Sequence, residues 1–350
     1  MNQRRVDPEL LEVKTCPGFP DMEPLAAQPA HDDLLVCALG FEDRCTAGPS
    51  RLKRSCYKAR RAIVLRYDVH ERENSRNESR LLRILSHIVC EGIVDAEFSV
   101  RDPVRSHGSF AEALEPSRQG PPCKSVTVDI TSFSSAAIVQ ILDTVLQLAS
   151  RSGATVRVMY SEARTYFPLR RDRHKRMPEE VYLSSGVSAT VVLPKFGGLF
   201  VPGFPTLLIT YLGFDPIRLR GAVNLLQPAR TIGIVGVPPR PSRRWRADEV
   251  RTRNAKIIPD DNSIAYLSTL YYQQTIVKLR QLYEQFSPDY NIALCPLGSK
   301  QQTLGVLLFA QGHRDVKLIF PIPVKFQPER YSKGYGKSWQ LVLRPAAVPL

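Results

Sequence analysis

Short apolar runs alternate with stretches of helical spacing through most of this chain. Asp33–Leu39, Ala62–Tyr67, Asp95–Val100, Val126–Asp129 and Val156–Tyr160 read as buried strands. Between them, Asn77–Cys90 carries Leu81, Leu82, Ile84, Leu85 and Ile88 at helical spacing, and Ala137–Ala149 is an apolar helix. Cys45–Tyr57 is expected to be helical from about Pro49, whereas Asp102–Lys124, polar and proline-bearing, reads as a loop. Further along, Val181–Leu193 alternates as a strand or hairpin, and Leu207–Tyr211, Thr231–Val235, Tyr290–Leu294 and Val316–Phe320 read as strands. Ile264–Phe286 is expected as one long helix and Gln301–Ala310 as a shorter one. Gly236–Lys256 reads as a basic loop, and the tail Pro321–Val342 holds a glycine-lysine loop, Ser332–Trp339. Strands alternating with helices predict an α/β fold with mostly parallel, doubly wound sheets.

The pattern occurs twice. Leu34–Glu42 (LLVCALGFE) matches Leu207–Asp215 (LLITYLGFD), each a buried strand running into Leu-Gly-Phe and an acid. Val126–Ala136 aligns with Ile292–Gln302, which sets Ser134 opposite Ser299, and Val156–Tyr160 matches Val316–Phe320. The order of the blocks is kept. Two Rossmann-like units related by internal duplication follow, at 32–168 and 205–350, with an N-terminal arm over 1–31 and a linker or hairpin over 169–204. Two such sheets facing each other about a pseudo-two-fold axis would bring their loops to one cleft.

The 350 residues suffice for two ordinary domains, and a 43% hydrophobic share excludes wholesale disorder. A net charge of +14 favours polyanionic partners, among them nucleotides and nucleic acid. Seven cysteines without C-x-x-C pairing imply reduced thiols in a cytoplasmic protein rather than a disulfide framework, and no zinc-ligand spacing occurs. Met1–Lys14 is charged without an apolar core, unlike a secretory signal. Gly197–Phe214 is broken by Pro202 and Pro205 and reads as a loop feeding a buried strand, so no membrane association is expected.

Chemistry is expected at the carboxyl ends of the strands, where open parallel sheets bind ligands. The candidate turn is Gly298-Ser299-Lys300, between a strand and a helix: glycine admits a close backbone approach, helix-start amides attract anions, Ser299 can cap the helix or donate to a phosphate, and Lys300 adds a charge. The spacing is not that of a Walker loop. In the first unit Thr131, Ser132 and Ser134 occupy the equivalent place, and Gly40 and Gly213 follow the first strand of each unit. Arg243, Arg244 and Arg246 around Trp245, with Lys333 and Lys337 in the tail, are candidates for a nucleic-acid or phosphate backbone. The basic run Arg170–Arg176 is a solvated loop or a further backbone contact. Glu42, Asp43, Arg44 and Asp129 offer a carboxylate pair for acid–base work but read more simply as turn caps paired with arginine; no catalytic residue, cofactor or metal site is assigned. No nucleophile elbow is present.

The turn GSKQQTLGVLLFA resembles the glycine-glycine-threonine-lysine turn of CRISPR-associated Rossmann-fold (CARF) domains, and the duplicated arrangement is similar to the fused double-CARF sensors of bacterial anti-phage systems called SAVED. Gly298, Ser299 and Lys300 match the turn, with serine for threonine; Leu297 replaces the first glycine, and Ser132–Ser135 of the first unit lacks both glycine and lysine. The resemblance implies a nucleotide- or cyclic-oligonucleotide-binding sensor subunit of a defence system. With no room for a nuclease or membrane effector domain, it would act through a separate effector protein. The alternatives are an RNA- or DNA-binding structural subunit and a phosphodiesterase of the ring-nuclease type.

Overall fold

The computed structural model describes residues 15–25, 30–99, 101–118, 122–170 and 184–344. Most of the expected arm and the basic run from Arg171 to Arg176 lie outside them. The chain divides into two compact units: Pro20–Leu169 with Pro328–Val348, and Arg170–Gln327 with the stretch bridged at Cys16 and Phe19.

The first unit is built on β1 (Glu23–Pro24), β2 (His31–Leu39), β3 (Lys58–Tyr67), β4 (Val89–Phe98), β5 (Ser125–Asp129), β6 (Thr155–Tyr166) and a C-terminal strand, Ser332–Leu343. Strands β4-β3-β2-β5-β6 run parallel in that order; the C-terminal strand lies antiparallel on β6, with β1 beyond it. Leu34, Leu35 and Val36 are fully buried, as expected of a central strand covered on both faces. The connecting helices are α1 (Ala47–Arg54), α2 (Glu71–Ser75), α3 (Glu78–Ile88), α4 (Pro103–Arg118) and α5 (Ser135–Ser152).

The second unit contains β7 (Ser184–Gly197), β8 (Thr206–Leu212), β9 (Arg230–Val237), β10 (Ile264–Ser268), β11 (Asn291–Pro296) and β12 (Lys317–Phe326), with α6 (Pro216–Leu226), α7 (Trp245–Asn254), α8 (Tyr272–Phe286) and α9 (Lys300–Ala310). Its parallel order is β10-β9-β8-β11-β12, and β7 lies antiparallel on β12. The two orders are the same, so Leu34–Leu39 and Leu207–Leu212 hold the same place in their sheets. Both units are Rossmann-like α/β units with mostly parallel sheets.

Several elements differ from the sequence reading. Within the expected loop Asp102–Lys124, Pro103–Arg118 is a helix: Asp102 Oδ1 accepts from the Arg105 amide at 2.9 Å, and Ser106, Phe110, Ala113 and Leu114 of α4 are buried at helical spacing. Pro103 opens the helix, where its missing amide costs nothing. The expected helix Ile264–Phe286 is an edge strand, β10, followed by α8; Ser268 Oγ accepts from the amides of Leu270 and Tyr271 and turns the chain between them. Gly236–Lys256 contains α7, which buries Ala247, Val250, Arg251 and Asn254. Ser184–Gly197, expected in a linker, belongs to the second sheet. The tail is no loop either. Ser332–Leu343, hereafter β13, was expected in the second unit and lies in the first sheet, with a register shift between Tyr335 and Ser338.

Candidate functional site

In each unit the strand order reverses between the first strand and the fourth, β2 and β5 or β8 and β11. That is the topological switch point, where a crevice forms beyond the carboxyl ends. Here the two loops touch. A β-carbon on Gly40 would stand 3.1 Å from that of Ser132, and one on Gly213 would stand 2.8 Å from the Leu297 carbonyl. Both glycines are therefore accounted for by loop packing, not by a ligand's approach. In both units an asparagine amide secures the same carbonyl, Asn77 to Gly40 at 2.8 Å and Asn254 to Gly213 at 3.0 Å.

The first unit's loops are spent mostly on structure, although the Ser132 hydroxyl is buried without a hydrogen-bond partner among the described residues. Asp129 Oδ1 accepts from the Thr131 amide at 3.0 Å and from the Thr131 hydroxyl, and Thr131 Oγ1 in turn accepts from the Ser161 amide at 2.9 Å. Ser134 caps α5 by accepting from the Ala137 amide at 3.1 Å, while Tyr67 donates to the Ser132 carbonyl and accepts from the Ser134 amide. Burial pushes the Tyr67 phenol up from its ordinary range. Glu42 receives two bonds from Arg44, at 2.8 and 3.0 Å, and one from the Ser332 hydroxyl. Arg44 is buried, and its Nη1 donates to the Ser161 carbonyl at 3.2 Å. Burial, the largest single influence, opposes the guanidinium's charge, but Glu42 together with Tyr166 and Tyr160 outweighs it and holds the group protonated. Asp43 accepts from the Gly334 amide and Arg51 donates to the Gly336 carbonyl, so these loops hold β13. Glu42, Asp43 and Arg44 thus fill the structural role.

The second unit differs. Ser299 caps α9 in a full capping box: its Oγ accepts from the Gln302 amide at 3.2 Å, and Gln302 Oε1 accepts from the Ser299 amide at 2.9 Å. The same Oγ donates to the Thr269 carbonyl at 2.8 Å, which ties the starts of α8 and α9 together. Ser299 is therefore a cap rather than a phosphate donor. Gly298 leaves room for the Gln302 carboxamide. Lys300, expected to face solvent, is half-buried at the first position of α9. Gly305 lets the two helices close, since a β-carbon there would meet the Tyr272 carbonyl at 2.6 Å and Thr275 at 2.7 Å.

Sequence reasoning missed the glutamines. Gln273-Gln274-Thr275 and Gln301-Gln302-Thr303 occupy the same positions in the first turns of α8 and α9, and this repeated Gln-Gln-Thr was the signal available. All four glutamines are buried. Gln274 Oε1 accepts from the Ser268 amide at 2.7 Å, as Gln302 does from Ser299. Among the described residues, Gln302 Nε2 and both side-chain amide atoms of Gln301 are buried without a hydrogen-bond partner. The Gln302 Nε2 lies over Gly236 at the end of β9, where Thr269 also packs. Neither first turn carries an acid.

The same carboxyl edge carries the arginines that follow β9. Arg246 stacks on Phe214, its guanidinium carbon 4.3 Å from the ring centroid, while Arg244 is exposed. Arg251, by contrast, is locked to Asp261 at 2.8 Å and to the Ile258 carbonyl. Asp215 is an acid on this edge; it is buried and accepts from the Ser184 hydroxyl. Lys333 and Lys337 are exposed on β13 in the first unit, on a strand rather than a loop. Among the described residues no cluster of His, Cys, Asp and Glu is arranged to hold a metal, and no helix is long and apolar enough to cross a membrane.

No family model matches the chain, and no curated protein does. Among solved structures, the chain is similar to the cytoplasmic domain of a prokaryotic cation chloride cotransporter, at 9% identity over 84% of this chain and 96% of that one, with a TM-score of 0.25. Likeness at that level bears on no functional argument.

Proposed function

We propose that the chain is a nucleotide- or cyclic-oligonucleotide-binding regulatory protein whose ligand sits at the carboxyl edge of the second unit's sheet. The supporting observation is the start of α9: a half-buried helix start without an acid, with Lys300 at its first position, on an edge that also carries Arg243, Arg244 and Arg246. Helix-start amides and cations together favour a phosphate. A role as the sensor of an anti-phage system, passing its signal to a separate effector protein, follows from the resemblance to duplicated CARF domains. Mass spectrometry of small molecules released from the purified chain tests the proposal. Nucleotides or cyclic oligonucleotides in stoichiometric amount are expected; a preparation that carries none, and binds none when they are added, contradicts it.

The arginines also favour a second reading, contact with an RNA or DNA backbone. Replacing Arg243, Arg244 and Arg246 together should then lower the salt slope of binding to long nucleic acid by up to about three, roughly one per lost phosphate contact. An unchanged slope would leave these side chains to the loop's own packing.

A further inference from the structure

We infer that Trp245 is a stacking surface for an unpaired nucleobase, an inference that rests on the nucleotide reading above and adds base recognition to it. Helix α7 lies against the turns that follow the central strands of the second unit. Asn254, at its end, donates to the Gly213 carbonyl after β8, and a β-carbon on Gly213 would stand 2.8 Å from the Leu297 carbonyl, next to the Gly298 turn. Towards its other end, the Arg246 guanidinium stacks on Phe214, the residue after Gly213. The start of α7 therefore stands on the same edge as the start of α9. What it offers there is a flat ring rather than an anion seat, because its first turn carries an exposed acid, Asp248. Trp245 holds the first position. Ala247 and Val250 of the same helix enter the unit's core and Phe214 packs against it, whereas Trp245 stands half-buried outside it. The Arg246 guanidinium carbon lies 5.5 Å from the Trp245 ring centroid and 4.3 Å from that of Phe214. One cation thus bridges the two rings and orders the indole. Arg244, immediately before Trp245, is exposed. An aromatic ring with surface left open, set among arginines, is the chemistry that holds single strands and free nucleotides: the ring stacks the base and a guanidinium takes the neighbouring phosphate. A base inside a duplex is already stacked on both faces and has none to give the indole.

Intrinsic fluorescence of the full chain tests this, because it has two tryptophans and the other, Trp339, lies in the first unit's sheet. In a Trp339→Phe background, ATP, cyclic oligoadenylate and single-stranded oligouridylate are titrated, with tripolyphosphate and duplex RNA as controls that offer phosphate without an accessible base. At least one base-bearing probe should quench the Trp245 emission and bind about tenfold or more tighter than its control. Trp245→Leu keeps apolar bulk but no aromatic face; it should lose about five- to a hundredfold in affinity for that probe and leave affinity for the control unchanged. Trp245→Phe should recover much of the loss. A response to ATP or cyclic oligoadenylate marks a free nucleotide as the source of the base, and a response to oligouridylate alone marks a strand. Binding without quenching, base-bearing probes that bind no tighter than their controls, or wild-type affinity in a folded Trp245→Leu protein would overturn the inference; the first two outcomes need no Trp245 variant. If nucleotides bind and depend on Lys300 while Trp245→Leu has no effect, the stacking inference falls and the proposed function stands. If no base-bearing probe binds, both fall.

Discussion

A β-carbon on Gly298 would collide with the Gln302 carboxamide and stand 3.0 Å from the β-carbon of Tyr211. Space, not backbone freedom, explains this glycine. Gly298→Val should therefore cost about 1–3 kcal/mol by overpacking, read from urea unfolding, while Gly92→Ala, where no atom lies within 4 Å, serves as the control. Wild-type stability for Gly298→Val would show that the capping box does not need this close approach. Buried thiols set a second expectation at this scale. Burial pushes Cys45 and Cys295 up to about 12 and Cys123 up to about 11, from an ordinary 9.0. A group whose folded value is raised supplies stability that is complete below its unfolded value. As pH climbs above 9, the unfolded chain loses these protons and the folded chain keeps them, so stability falls up to about pH 11–12. Unfolding measured between pH 8 and pH 11, with serine variants of the three cysteines as comparison, checks it; a slope unaffected by the serines would contradict the assignment.

At the scale of elements, β13 depends on the loop after β2. Glu42 neutralises buried Arg44 and accepts from Ser332, and Asp43 accepts from the Gly334 amide. Glu42→Ala leaves a buried cation unpaired, which costs on the order of 3–5 kcal/mol. Protease cleavage within Ser332–Leu343 should then quicken; unchanged cleavage and stability would mean the ion pair does not hold the strand. Here the sequence was least legible. Central strands such as Leu34–Leu39 and Leu207–Leu212 are buried on both faces, and their unbroken apolar runs announce them. In β13, by contrast, two glycines and two lysines imitate a loop, and its partner strand β6 is remote in the chain. In α4 the buried positions include Ser106 and Ala113, so the helical period is faint. Ile264–Ser268 shares apolar spacing with the helix behind it, and only pairing with β9 makes it a strand. The turn at Gly298–Lys300 was legible from its residue types. Its glutamines were not, because a glutamine near a helix start reads as surface until tertiary packing buries it.

Over the whole molecule, one strand order serves twice, and the helix after the fourth strand begins at a serine cap in both units, Ser134 and Ser299. The antiparallel neighbour differs in origin: β13 comes from the C-terminal region in the first unit, and β7 precedes the parallel strands in the second. The units have also diverged at the switch point. The first commits Thr131, Ser134, Glu42 and Asp43 to its own packing and has no lysine at the start of α5, while the second places Lys300 at the start of α9 in a chain of net charge +14. The account turns on an anion held at that second edge, and the most direct test is calorimetric titration of cyclic oligoadenylates and ATP into the wild-type chain and Lys300→Ala. A charged hydrogen bond contributes on the order of 1.5–3 kcal/mol, so Lys300→Ala should lose roughly ten- to a hundredfold in affinity, with the thermal midpoint measured alongside to separate lost binding from lost stability. Unchanged affinity of Lys300→Ala for every nucleotide the wild type binds would contradict it.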